Sequence, residues 1–272
     1  MGGRELIVLK FGSSVLRGAR DVGRIAREIE RWLERGADVV AVVSAFRGVT
    51  DRLMAQGRRY GPDPDGHALA ALVATGELAS AATLGLGLRQ RGIACEALDQ
   101  HGLGLVTEGP PIGARAVGLC VERVRRALAE SRVIVAPGFI GRCAQGRTTL
   151  LARGGSDFSA VFLAHHLTAR CRLIKDTGGL YERDPALGGV PVALSNLTWE
   201  EAARLECKAV QGAALEYARE HGIEIEIAGL GSQRAGTIIG REALDDSGSL
   251  RFEAHRHQSK SASDLAGRSA CI

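Results

Sequence analysis

Short apolar runs that stop on glycine or polar turns recur along this chain, and helical patterns fill the intervals between them. Leu6–Phe11 (LIVLKF) stops on Gly12-Ser13-Ser14, and Ala37–Ala45 (ADVVAVVSA) opens into Phe46-Arg47-Gly48-Val49-Thr50-Asp51. Val133–Ala136 runs into Pro137-Gly138-Phe139-Ile140-Gly141, and Cys171–Ile174 runs into Lys175-Asp176-Thr177-Gly178-Gly179-Leu180-Tyr181. Near-continuous apolar strands are covered on both faces, as in parallel sheets. Helical patterns at Asp21–Arg35, His67–Gly92, Ala114–Glu130, Trp199–Arg204 and Ala209–His221 supply the crossovers, and Ile93–Leu98, Ile223–Ile227 and Thr237–Ile239 read as further strands. Gly57–Gly66 and His101–Pro111 read as loops. The alternation predicts an α/β protein, a three-layer α/β/α sandwich with a mostly parallel central sheet. Residues 1–244 read as one domain, and the polar stretch 245–272, without periodicity, as a poorly ordered tail.

Composition narrows the partners. The 272 residues are 45% hydrophobic, enough for one substantial core. Thirty-five basic against 31 acidic residues, with only 4% aromatics, argue against a nucleic-acid partner. No apolar run is read as approaching the roughly 18–20 residues that cross a bilayer, and the N-terminus lacks a signal-peptide pattern. Six scattered cysteines, with no CxxC pair and no zinc spacing, predict no protein-bound metal and a reducing, cytoplasmic setting.

The stretch Leu150–Leu167 (LLARGGSDFSAVFLAHHL) concentrates the chemistry. Gly154 and Gly155 lie between Arg153 and Ser156-Asp157, ahead of a helical pattern. Such a loop feeding a helix N-terminus suits an anion, because free N–H groups and the helix dipole both point at it. It equally suits a plain turn capped by Ser156 or Asp157, with Arg153 solvated. Four of the 35 basic residues are lysine: Lys10, Lys175, Lys208 and Lys260. Lys10 interrupts a core strand just before its turn, where it either meets a phosphate in a cleft or snorkels from an edge. Glu77, in an alanine-rich helix, either binds a substrate ammonium or is a solvated acid. Two lysines, a helix N-terminus and backbone glycines together make a site for a polyphosphate, and phosphoryl transfer needs mainly alignment and positive charge. No GxxxxGK[ST] loop, protein-kinase signature or GxGxxG after the first strand occurs.

Taken together, these segments resemble the catalytic domain of aspartate kinases, within the amino-acid kinase family. Lys10-Phe11-Gly12-Ser13-Ser14-Val15 is similar to KFGGTSV, and Val43-Ser44-Ala45 with Gly48-Val49-Thr50 to VxSAxxGxT. Gly76-Glu77 with Ser80 resembles xGExxS, and Gly138–Gly141 followed by Arg153–Asp157 resembles GFIG…GRGGSD, with Ala152 for its first glycine. Asp176–Pro185 resembles TDVxGxYTxDPR, and Lys208 falls on the lysine of FGAKVLHP. The resemblance covers roughly residues 5–240 in consistent order.

It implies ATP as phosphoryl donor and L-aspartate as acceptor, giving 4-phospho-L-aspartate and ADP. Lys10, Asp157 and Lys208 would be catalytic. Ser44, Thr50, Glu77, Phe139, Arg153 and Ser156 would hold aspartate. Lys10, Gly12, Ser13, Gly154, Gly155, Lys175, Asp176, Tyr181 and Lys208 would lie along the nucleotide. Mg2+ would arrive with ATP, coordinated mainly by phosphates and water. The chain departs from the pattern at Ser13, where the family has glycine, at Lys175, where it has threonine, and at Ala186, where it has arginine. Family members commonly continue into paired regulatory ACT domains. The chain ends on a short polar tail, so the expectation is activity insensitive to lysine and threonine, and a homodimer formed through kinase-domain helices. A kinase of another small carboxylate, such as glutamate, and a non-catalytic subunit of the same fold are the competing readings.

Overall fold

The run LIVLKF forms β1 (Leu6–Phe11), which the computed structural model places inside an eight-stranded sheet. The structure describes residues 4–61, 64–152, 154–181, 193–205 and 210–241. After β1 come α1 (Val22–Glu34), β2 (Asp38–Val43), α2 (Val49–Arg58), α3 (Gly66–Gln90), β3 (Glu96–Ala97), α4 (Gln100–Leu103), β4 (Leu105–Glu108) and β5 (Ile112–Leu119). Then follow α5 (Val121–Ser131), β6 (Val133–Pro137), β7 (Ile140–Arg142), β8 (Thr148–Leu151), α6 (Gly155–Leu167), β9 (Arg170–Lys175) and β10 (Leu180–Tyr181). The last are β11 (Ala193–Leu194), β12 (Asn196–Thr198), α7 (Trp199–Arg204), α8 (Gly212–His221), β13 (Ile225–Gly229) and β14 (Thr237–Gly240).

The large sheet runs β12-β14-β13-β9-β1-β2-β6-β3, and every neighbouring pair is parallel except β13–β14. Successive side chains of a strand point to opposite faces. Ile7, Leu9 and Phe11 therefore join Ile25, Ile29 and Trp32 of α1 and Leu84 and Leu88 of α3 on one face. Val8 joins Leu128 of α5, Phe162 and Leu163 of α6 and Leu215 of α8 on the other. Two apolar layers around one sheet make the three-layer sandwich expected from the sequence. Lys10 shares the face of Val8, so its ammonium is directed towards α6.

Several local expectations are corrected. Ala114–Glu130 is not one helix: its first part belongs to β5, and only Val121–Ser131 is helical. Ala114 and Ala116 are buried while Arg115 and Val117 are exposed. That period of two was masked by helix-favouring Ala and Arg residues. His101–Pro111 is not a bare loop, since it contributes to α4 and holds β4. The strands β4, β5, β8 and β7 close a small barrel, with Thr107 and Thr149 hydroxyls hydrogen-bonded inside at 2.7 Å. The turn after Gly48 continues into α2, whose Leu53 and Met54 pack towards Leu69, Val73, Ile140 and Leu150 between α3 and the barrel. Helix α3 is the one described helix long and apolar enough, by length and composition, to cross a membrane. The sequence expectation of no such stretch is therefore wrong for Gly66–Gln90. The helix serves here as a core element, with Leu69, Val73, Glu77, Leu84 and Leu88 buried. The stretch 245–272 lies outside the described residues.

Candidate active site

The carboxyl ends of β1, β2 and β9 lie side by side: Phe11 is in register with Val43 on β2 and with Ile174 on β9. Ligands of open α/β sheets gather at such ends. Helix α6 begins above them. Gly154, with φ +80, turns the chain into α6, a backbone conformation that a β-branched residue would resist. Asp157, in the first turn of α6, is thereby brought over β1.

Lys10 Nζ lies 2.6 Å from Asp157 Oδ1. Lys175 Nζ lies 3.0 Å from Asp157 Oδ2 and 3.3 Å from Oδ1. Lys10 and Asp157 are 6% and 3% exposed, so this is an interior ion cluster with two cations on one carboxylate. Burial holds the Lys10 ammonium below its ordinary value; Asp157 opposes that shift, and the neighbouring Lys175 adds to it. Burial alone would push Asp157 up, but Lys10 and Lys175 outweigh it and hold the carboxyl at about 2. The cluster sets two lysines against one carboxylate, and the Lys10 ammonium lies beside Gly12. A Cβ at Gly12 would stand 2.7 Å from Lys10 Nζ, so glycine keeps the approach to that ammonium open.

A second group assembles at the end of β2. The Ser44 N–H donates to Phe11 C=O at 3.2 Å. Glu77, midway along α3, is 2% exposed and faces Ala45, whose N–H donates to its carboxylate. Its Oε2 is buried without a hydrogen-bond partner, as is the Ser80 hydroxyl one turn later. Burial raises Glu77 to about 7, against the backbone N–H groups that lower it. An orphaned buried carboxylate oxygen is costly unless a donor arrives to meet it. Thr50 sits half-buried in the first turn of α2.

Phe139 holds a left-handed backbone, φ +67. Its N–H donates to Ser159 Oγ at 3.0 Å, Ser159 Oγ donates to Gly155 C=O at 2.7 Å, and Leu151 N–H donates to Phe139 C=O at 2.9 Å. A non-glycine residue held there costs on the order of 1–3 kcal/mol. These three hydrogen bonds fix the β6–β7 turn against the start of α6, where Ser156 is also buried. Ser159 was not singled out in the sequence; its signal is a serine one helical turn after Gly155, placed to bond back to that carbonyl.

The remaining sequence candidates fall on two loops. Ser13 is exposed after β1, where Arg47 Nε donates to its carbonyl at 3.2 Å. Asp176 is exposed after β9, and Tyr181 donates its hydroxyl to Thr177 C=O at 3.1 Å. Lys175 leaves the same strand but turns inward to Asp157, away from the exposed course of that loop. Arg153, Lys208 and Ala186 lie outside the described residues. Among the described residues no group of three or more His, Cys, Asp or Glu side chains could hold a metal ion, and both oxygens of Asp157 are already taken by lysines.

The amino acid kinase family model matches residues 5–229, a range that includes Lys10, Asp157 and Lys175. The chain belongs to the amino acid kinase family. Within that family it is similar to an aspartokinase of Thermus thermophilus, 33% identical over 244 residues, which cover 88% of this chain and 60% of the relative. It is also 30% identical to an aspartate kinase of Stutzerimonas stutzeri, over 90% of this chain and 60% of the relative. The chain thus spans about 60% of the length of these curated relatives. The crystal structure of aspartate kinase from Synechocystis superposes with a TM-score of 0.75 at 29% identity, covering 89% of this chain and 40% of that one.

Proposed function

We propose that the chain transfers the γ-phosphoryl group of ATP to the side-chain carboxylate of L-aspartate, releasing ADP and 4-phospho-L-aspartate. The likeness to aspartokinases supports the reaction, and the Lys10–Asp157–Lys175 cluster, with Lys10 and Asp157 buried, is the observation that carries it. A carboxylate oxygen of the acceptor forms a bond to the γ-phosphorus. The bond from phosphorus to the β–γ bridging oxygen breaks, and its electron pair leaves on ADP. Both partners are anions at neutral pH, so no proton has to move and no general base is required. What the protein supplies is charge and alignment.

In this reading Lys10 and Gly12 face the transferring group, with Asp157 fixing the ammonium in place. Gly154 and Gly155 bring the α6 N-terminus to the phosphates, and Asp176 and Tyr181 flank the rest of the nucleotide. Glu77 meets the acceptor's ammonium with its unpartnered oxygen, which accounts for a buried Oε2 without a hydrogen-bond partner. Ser44, Thr50, Phe139, Ser156 and, by its place in the sequence, Arg153 enclose the acceptor carboxylates. Lys208 joins the phosphate side by the same sequence argument. The described residues do not build a cage for Mg2+; the ion belongs to the phosphates and water, and no step here runs through it. Buried Cys95 and Cys171, neither in a disulfide, accord with a cytoplasmic setting.

The test is ADP release from MgATP across a panel of small acids. Release driven by L-aspartate above the others supports the reading. Release driven by glutamate, or by none of them, overturns it.

A further inference from the structure

Asp157 needs only one ammonium for neutrality, and Lys10 already supplies it at 2.6 Å. Lys175 is therefore a surplus, partly buried cation. Its place follows from register. Lys10 pairs with Leu173 across β1 and β9, and Lys175, two residues on, returns to the same sheet face. Cys171 and Leu173 belong to the apolar layer on the α6 side, whereas Ile174 belongs to the α1 side and the Arg172 guanidinium lies over Trp32 of α1. The strand thus delivers Lys175 to Asp157 without distortion. Its side chain is 14% exposed against 7% for Lys10, so Lys175 is the outer of the two cations. An ammonium carries three donors, and Asp157 accepts at most two of those on Lys175. A partly buried surplus charge with a spare donor is placed to meet an anion entering from the open side.

We propose that Lys175 is a further phosphate-directed cation of the transfer centre, additional to Lys10 and Lys208 and held by Asp157 so that its ammonium and that of Lys10 both face the terminal phosphoryl group. The inference rests on the phosphoryl-transfer reading above but not on aspartate as acceptor. It also gives a use to the residue that stands where the aspartate kinase pattern has threonine. A cation aimed at the terminal phosphate distinguishes nucleoside triphosphate from diphosphate. A lysine that only neutralises Asp157 does not.

The experiment is calorimetric titration of the whole chain with MgADP and with the non-hydrolysable MgATP analogue whose β–γ bridge is nitrogen. Wild type, Lys175→Met and Lys175→Arg are compared. A charge-assisted hydrogen bond corresponds to about a ten- to hundredfold change in affinity. Lys175→Met is expected to weaken the triphosphate analogue by that factor and leave MgADP within about threefold, and Lys175→Arg is expected to recover most of the loss. If Lys175→Met does not fold, Lys175→Gln, which still donates to Asp157 without the charge, reads the same difference. Equal weakening of both nucleotides, or no weakening, overturns the proposal. Should the analogue behave as expected while L-aspartate elicits no turnover, the acceptor reading fails alone and the role of Lys175 stands.

Discussion

Replacing Glu77 by glutamine separates what this carboxylate costs the fold from what it gives the site. Glu77 is 2% exposed, its Oε2 has no partner, and burial raises it from 4.5 to about 7. A carboxyl whose folded value is raised stabilises the fold only while protonated. Its contribution is fully present below pH 4.5 and is lost as pH rises through about 7. Integrating that shift, burying Glu77 costs the fold about 3 kcal/mol at pH 8, where it is ionised, and about 1 kcal/mol at pH 5, where the fold holds it protonated. Glutamine does not titrate, so its own packing and hydrogen-bond terms cancel between the two pH values. Urea unfolding of Glu77→Gln and wild type, without substrates, should therefore show the variant gaining about 2–3 kcal/mol on wild type between pH 5 and pH 8. In thermal melts the same gain is about 5–10 °C. Parallel pH profiles for the two proteins would refute the argument, because they would place Glu77 in contact with solvent or with a donor. The same variant should lose acceptor affinity, so that the more stable protein is the less active one.

Three further outcomes follow from the same geometry. The acceptor KM of wild type should rise about tenfold per pH unit below pH 7, since the proton on Glu77 must leave before an ammonium binds; initial-rate kinetics should show this dependence absent in Glu77→Gln. Asp157, held at about 2, contributes stability that is present above pH 3.8 and is lost as pH falls through 2; Asp157→Asn should lack this loss of about 2 kcal/mol in acid titrations, and near neutrality it should unfold about 3–5 kcal/mol more easily because two ammoniums lose their only shared anion. Gly12→Ala would put a Cβ 2.7 Å from Lys10 Nζ, so kcat should fall about 10- to 100-fold as the ammonium is displaced, while circular dichroism and melting temperature stay near wild type because the clash is with the end of a flexible chain.

The sequence was most legible where one segment decides its own structure. β1 spans Leu6–Phe11 and α7 spans Trp199–Arg204, as the apolar run and the helical pattern predict. The start of α6 was legible too, because two glycines before Ser-Asp leave few alternatives to a helix N-terminus. The small barrel was not. Its strands are only three to eight residues long, and in Ile112–Leu119 alanine and arginine hide the alternation that pairing with β4 and β8 enforces. The site was half legible for a related reason. Lys10, Asp157 and Glu77 stand out in their own segments. That Lys175 shares Asp157 with Lys10 depends on β9 lying beside β1, a neighbour relation set by sheet order across more than half the chain. Ser159, which steadies Phe139, acts through one backbone carbonyl and leaves almost no mark on the sequence.

The central claim is that an acyl phosphate forms on aspartate under the charge of Lys10. Hydroxylamine traps such a product as a stable hydroxamate. With MgATP and L-aspartate, wild-type protein should give hydroxamate in step with ADP, and Lys10→Ala, folded by circular dichroism, should give about a hundredth of it or less. ADP released without hydroxamate, or hydroxamate undiminished in Lys10→Ala, would contradict the account.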